Sequence, residues 1–150
     1  MEWLRSLLAR WKVQVSIVAG AEDKFNLLEK IESNDLEGQT IILNSGIDSV
    51  VKFNPSNSVG ERTRSFLKVQ DGCDYICSFC TIPLARGKSR SANIADTLIQ
   101  ARKIAETEVK EIVLTGVNVG DFGKKFKESF FDLIQELDKV EGIERYRISS

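Results

Sequence analysis

Lys68-Val-Gln-Asp-Gly-Cys73-Asp-Tyr-Ile-Cys77-Ser-Phe-Cys80 holds every cysteine of the chain, three thiols within eight residues spaced C-x3-C-x2-C. Soft thiolates suit iron–sulfur chemistry. Cys73, Cys77 and Cys80 are candidate ligands for three irons of a 4Fe-4S cube, which leaves the fourth iron free to bind something else. A structural zinc site closes with four ligands. This chain has no histidine, so zinc would need a carboxylate such as Asp71 or Asp74. A disulfide pair would need an oxidising compartment. Inert buried cysteines are common, but they do not gather in one short stretch.

The flanks place this loop in a fold. Phe66 to Gln70 alternates and reads as a short strand, which Asp71-Gly72 ends. A loop at the C-terminal end of a strand is where barrel enzymes build their sites. Phe79 is placed to pack beside a bound adenine or to shield the cluster from water. Pro83 is expected to end any helix begun by the loop. Arg86, Lys88 and Arg90 put three positive charges beside the proposed cofactor.

Downstream, strand and helix alternate. A helix is expected from Ile94 to Thr107, with Ile94, Leu98, Ala101, Ile104 and Ala105 at helical spacing. Ile112 to Leu114 reads as a buried parallel strand. Ser129 to Val140 reads as a second helix with Phe130, Phe131, Ile134 and Leu137 inward, and Tyr146 to Ser149 begins a third strand. This order argues for a parallel sheet or barrel. Upstream, Val13 to Val18 is a strand signal, Glu22 to Glu32 a helix with Phe25, Leu27, Leu28 and Ile31 apolar, and Ile41 to Leu43 a short strand. Asn54 to Gly60 is a turn-rich linker.

With these residues in view, the chain resembles the radical S-adenosylmethionine (SAM) methylthiotransferases. The resemblance rests on Lys68-Val-Gln-Asp-Gly-Cys73, the cysteine loop, and Ile82-Pro83-Leu-Ala-Arg86-Gly87. It extends to Glu111-Ile-Val-Leu-Thr-Gly116-Val-Asn118-Val-Gly-Asp121-Phe-Gly123 and Arg145-Tyr-Arg-Ile-Ser149-Ser150. Val18 to Leu28 resembles the end of that family's N-terminal domain. The wording is most similar to the branch acting on threonylcarbamoyladenosine in tRNA. The resemblance implies an α/β fold: a partial radical SAM (β/α) barrel preceded by the tail of an α/β methylthiotransferase N-terminal domain. The implied division is 1–52 for that remnant, 53–65 for a linker and 66–150 for the first part of the radical SAM core.

The resemblance also implies the chemistry. SAM chelates the free iron, and an electron from the cluster cleaves the sulfonium to a 5′-deoxyadenosyl radical, which takes hydrogen from an adenine carbon. A second 4Fe-4S cluster supplies sulfur, and a second SAM supplies the methyl group. The implied partners are the anticodon loop of tRNA and an electron donor such as flavodoxin or ferredoxin. Gly116 and Asn118 fall where radical SAM barrels contact the methionine part of SAM, although a tight loop would also need glycine. Ser149 and Ser150 are weaker candidates.

Composition adds bounds. Twenty-one Lys and Arg against 22 Asp and Glu give a net charge of −1, so no global polycation argues for RNA. The basic residues are local, and Arg86 to Arg90 compete as RNA, SAM or structural contacts. Trp3, Leu4, Leu7, Leu8 and Trp11 share one helical face, expected to pack on protein and not on a membrane. No stretch is long enough to span a bilayer. The expected address is the cytoplasm, where thiols stay reduced.

The chain also departs from the family pattern. The cysteines for the second cluster are absent, and the barrel would need more strands than these three. The expectation is an incomplete or frame-broken product that alone does not complete methylthiolation. The alternative is a non-catalytic iron–sulfur or zinc-binding RNA-interaction module.

Overall fold

A computed structural model describes residues 15–33, 40–58 and 63–149. The amphipathic stretch expected at Met1 to Trp11, the start of the strand expected at Val13, and Ser150 lie outside them. The chain forms two compact units, Met1–Val50 and Val51–Ser150.

The first unit is a small parallel β–α–β arrangement. Strand β1 (Ile17–Ala19) pairs in parallel with β2 (Ile41–Leu43), Ile17 facing Ile41. Between them the expected helix is split into a 3-10 turn at Asp23–Asn26 and α1 (Leu27–Glu32). None of α1 is buried, and Leu28 is 76% exposed. Two three-residue strands give its apolar face little to cover it. Asp23 ties the turn down by accepting hydrogen bonds from the amide and hydroxyl of Ser45 at 2.8 and 2.9 Å.

The second unit carries the cysteines. Its elements are β3 (Ser56–Asn57), β4 (Arg64–Lys68), β5 (Gln70–Asp71), α2 (Ile82–Arg86), β6 (Arg90–Ser91), α3 (Ile94–Ala105), β7 (Glu111–Thr115), α4 (Phe130–Leu137) and β8 (Arg145–Ser149). The main sheet has the order β3-β4-β7-β8. Strands β4, β7 and β8 are parallel, with Leu67 opposite Leu114 and Leu114 opposite Ile148. Parallel neighbours need a crossover, and here α3 and α4 lie on the two connections. The α/β expectation therefore holds. Ser56 and Asn57, within the stretch read as linker, pair antiparallel with Lys68 and Leu67 and form one edge.

The expected strand over Phe66 to Gln70 is offset and interrupted. It begins at Arg64, breaks at Val69, and Gln70 and Asp71 pair instead with Ser91 and Arg90. The core lies between the sheet and its helices. Leu67, Ile112 and Leu114 from the sheet and Val69 from the break after β4 meet Ala101 and Ile104 of α3 and Leu133 and Leu137 of α4. Such side chains each contribute about 1.5–3 kcal/mol when fully buried. Ile94, Leu98, Phe130 and Ile134 pack on this cluster as expected. Phe131 does not: it is 69% exposed, because the helical period turns it away once Phe130 and Leu133 face in.

Caps fix where the helices start. The Asn93 side chain accepts from the Asp96 amide at 2.7 Å, and Glu128 accepts from the Ile94 amide at 2.8 Å. Ser129 and Asp132 form a capping box on α4.

Candidate functional site

The cysteine loop leaves the sheet through a tightly held root. Gly72 has φ +72°, and a Cβ there would fall 2.1 Å from the Lys88 carbonyl oxygen and 2.7 Å from that of Gly87. Only glycine fits both the conformation and the space. The Cys73 amide donates to the Gly87 carbonyl at 3.1 Å, and the Ser89 amide donates to Asp74 Oδ1 at 2.9 Å.

Asp71, 3% exposed, gathers the positive charges around this root. Its carboxylate accepts from the Gly72 amide at 2.9 Å and from Arg86 and Arg90, each at 3.1 Å, with Lys68 at 3.7 Å. Burial pushes its pKa up, but the Arg86 hydrogen bond, the Arg90 charge, the Gly72 amide and Lys68 together outweigh that and hold it below the ordinary carboxylate value. Arg90 also donates to the carbonyls of Arg86 and Lys88 at 2.7 and 3.0 Å. Of the competing roles for these cations, the structure shows structural contacts for Arg86 and Arg90, while Lys88 is exposed. Both carboxylates weighed as a fourth zinc ligand, Asp71 and Asp74, are engaged in these bonds.

Past the root the loop turns outward. Cys73 is half-buried, Cys77 and Cys80 are exposed, and the Cys80 amide donates to the Cys77 carbonyl at 3.1 Å. Ile76 is 96% exposed, and Phe79 is 107% exposed with φ +63°. Pro83 does not end a helix as expected. It lies in the first turn of α2, where a missing amide hydrogen is tolerated, and Gly87 at φ +75° follows the last turn.

The donor set fits an iron–sulfur group: three thiols on one loop, two of them open to solvent, with no competing histidine. Cys73, Cys77 and Cys80 are the residues that could hold it. Among the described residues, however, no three Cys, His, Asp or Glu side chains are drawn together as a metal group.

The end of β7 lies beside the root. The Val117 and Asn118 amides both donate to Gln70 Oε1, at 2.9 and 2.8 Å. A Cβ at Gly116 would lie 2.9 Å from Val119 Cγ1 and 3.0 Å from that same oxygen, so a side chain there would crowd both. The Gly116 amide donates to the Ser149 carbonyl at 3.4 Å, which brings the ends of β7 and β8 together. Asp121, 5% exposed, pairs with Lys124 at 2.6 Å, and the Tyr75 hydroxyl donates to Asp121 at 3.5 Å. The hydrogen bond from Lys124 to Asp121, with a second to Tyr75, raises the lysine's pKa.

A cavity of about 410 Å³ lies nearby, lined among others by Phe53, Lys68, Arg90, Thr97 and Phe126. None of Cys73, Cys77, Phe79, Cys80, Gly116 and Asn118 lines it. The sequence reading missed Gln70 and Asp121 as organising residues and gave Asp71 only as a possible zinc ligand. Gln70 gave no signal of its own, since with Lys68 it reads as the polar half of an alternating strand.

No family model matches the chain. It is similar to the threonylcarbamoyladenosine tRNA methylthiotransferase of Bacillus subtilis, 38% identical over 143 residues, covering 91% of this chain and 31% of that protein. The protein of the same description from Aquifex aeolicus is 36% identical over 145 residues, 95% of this chain and 35% of its own length. The tRNA-2-methylthio-N(6)-dimethylallyladenosine synthase of Alkaliphilus oremlandii is 32% identical over 136 residues, 89% and 29% respectively. The chain thus spans about a third of the length of the curated relatives it matches.

Proposed function

We propose that this chain, homologous over nine-tenths of its length to tRNA methylthiotransferases, forms the cluster-binding part of a radical SAM enzyme. The proposed reaction adds a methylthio group to threonylcarbamoyladenosine beside the anticodon of tRNA. The observation that carries the reading is the three-thiol loop rooted at the C-terminal end of a parallel strand, directly beside the Gly116–Asn118 loop. When bound, a 4Fe-4S cluster would supply the electron that opens SAM.

The chain's own residues have simpler tasks. Cys73, Cys77 and Cys80 hold the cluster. Asp71 anchors Arg86 and Arg90, so the loop root keeps its shape. Gly116 and Asn118 would meet the methionine end of SAM, and Phe79 its adenine. Exposed Lys88 and half-exposed Arg86 suit phosphate contacts with RNA. The fold of the second unit, extended by further strands, would be a radical SAM barrel. The sulfur source and the electron donor, a flavodoxin or ferredoxin, lie outside this sequence. Three free cysteines suit a reducing compartment, and we place the protein in the cytoplasm. Among the described residues no helix is long and apolar enough to cross a membrane.

Anaerobic reconstitution with iron and sulfide tests the reading. The expected result is a 4Fe-4S spectrum that SAM perturbs and that each of Cys73→Ala, Cys77→Ala and Cys80→Ala removes. Tight zinc binding with no response to SAM would favour the non-catalytic metal or RNA-interaction module instead.

A further inference from the structure

Gln70 is 1% exposed and its one amide bridges three separate segments. Three acceptors surround the two N–H groups of its nitrogen: the carbonyls of Asp71 and Gly72 at 3.0 and 2.7 Å and Ser89 Oγ at 3.0 Å. The oxygen accepts from the amides of Val117 and Asn118. Main-chain carbonyls only accept and main-chain amides only donate, so this chemistry fixes which end of the side chain faces which loop. Gly116 packs against the same group, where a Cβ would lie 3.1 Å from Gln70 Cβ. A mere space-filler at this position would be apolar, and would leave two amides and two carbonyls without these partners.

We propose that Gln70 is a positioning residue. Its amide sets the separation between the cysteine loop and the Gly116–Asn118 loop, so that SAM held by both loops binds tightly only when this bridge is intact. The proposal rests on the reading of those two loops as cofactor contacts.

The test uses the full chain with Gln70→Leu and Gln70→Glu, followed by amide hydrogen exchange without cofactor and by SAM binding at matched iron content. In Gln70→Leu, exchange should quicken at Cys73, Val117 and Asn118 while the Ile104 and Leu114 amides stay protected. Iron content should be retained while SAM affinity falls about 10- to 100-fold, the usual cost of losing a group that orients ligands. Gln70→Glu keeps an acceptor for Val117 and Asn118 but sets a second oxygen against two carbonyls. It should loosen the Cys73 side alone and weaken SAM less. Unchanged exchange at all three amides overturns the proposal, and so does unchanged SAM affinity once the loops have opened. Loss of protection across the whole sheet in both variants also overturns it, since Gln70 would then only hold the fold. If the unsubstituted chain takes up no cluster, the proposed function fails. The exchange data still decide the bridge: selective opening of both loops supports it, and unchanged exchange refutes it.

Discussion

Leu67 and Phe79 lie close in sequence, yet one is 1% exposed and the other 107%. Leu67 belongs to a framework whose shape is set by burial, with sheet and helices sharing one apolar cluster. The cysteine loop is set differently. Its root at Asp71 to Cys73 is held by hydrogen bonds and ion pairs, while Ile76 and Phe79 point outward. The contrast teaches that the framework is specified by packing and the loop root by polar contacts, so mutations in the two should have effects of different kind.

The largest expected effect tests the framework. Leu114→Ala should cost about 2–5 kcal/mol by leaving a cavity, whereas Ile76→Ala should stay within about 0.5 kcal/mol. Urea denaturation of both variants measures this, and equal costs would break the contrast. Next comes Asp71→Asn, which removes the charge that holds Arg86 and Arg90. A loss of about 1.5–3 kcal/mol is expected, the range for hydrogen bonds to charged groups. Alkylation should then speed up at Cys73 and hardly change at Cys77 and Cys80, which are already exposed; a uniform change would blur root and tip into one region.

Gly72→Ala should rank beside it, since the about 1–3 kcal/mol of strained backbone adds to a clash of the new Cβ with the Lys88 carbonyl. Its signature is loss of the Cys73 amide's protection with the sheet amides intact. The smallest effect belongs to pH. Burial, helped by the charge of Asp138, raises the Tyr146 pKa to about 12. A raised pKa means stability is intact below the unfolded value near pH 10 and is lost as pH rises toward 12. Ultraviolet titration should show Tyr146 ionising that late. Ionisation of Tyr146 near pH 10 in the folded chain would remove it from the framework side of the comparison.

Local pattern made the framework legible. Ile112 to Leu114 gave a buried strand, while the caps at Asn93 and Ser129 went unread. The helix faces were read nearly right, with Phe131 as the miss. Pro83 misled because a proline that ends one helix is equally suited to the first turn of another. The short pairing of Ser56 and Asn57 has no apolar period to reveal it. In the site, the cysteines announced themselves by spacing. Gln70 did not, because its bonds reach residues 47 and 48 positions away, which no local period records.

The cap on α3 carries a consequence in time. Ile94 donates its amide to Glu128, 34 residues later. At about 5–20 residues per second a ribosome adds that glutamate seconds after the helix start has been made. The first turn of α3 therefore waits, with one amide unclaimed by its eventual partner, until most of the second unit has been synthesised.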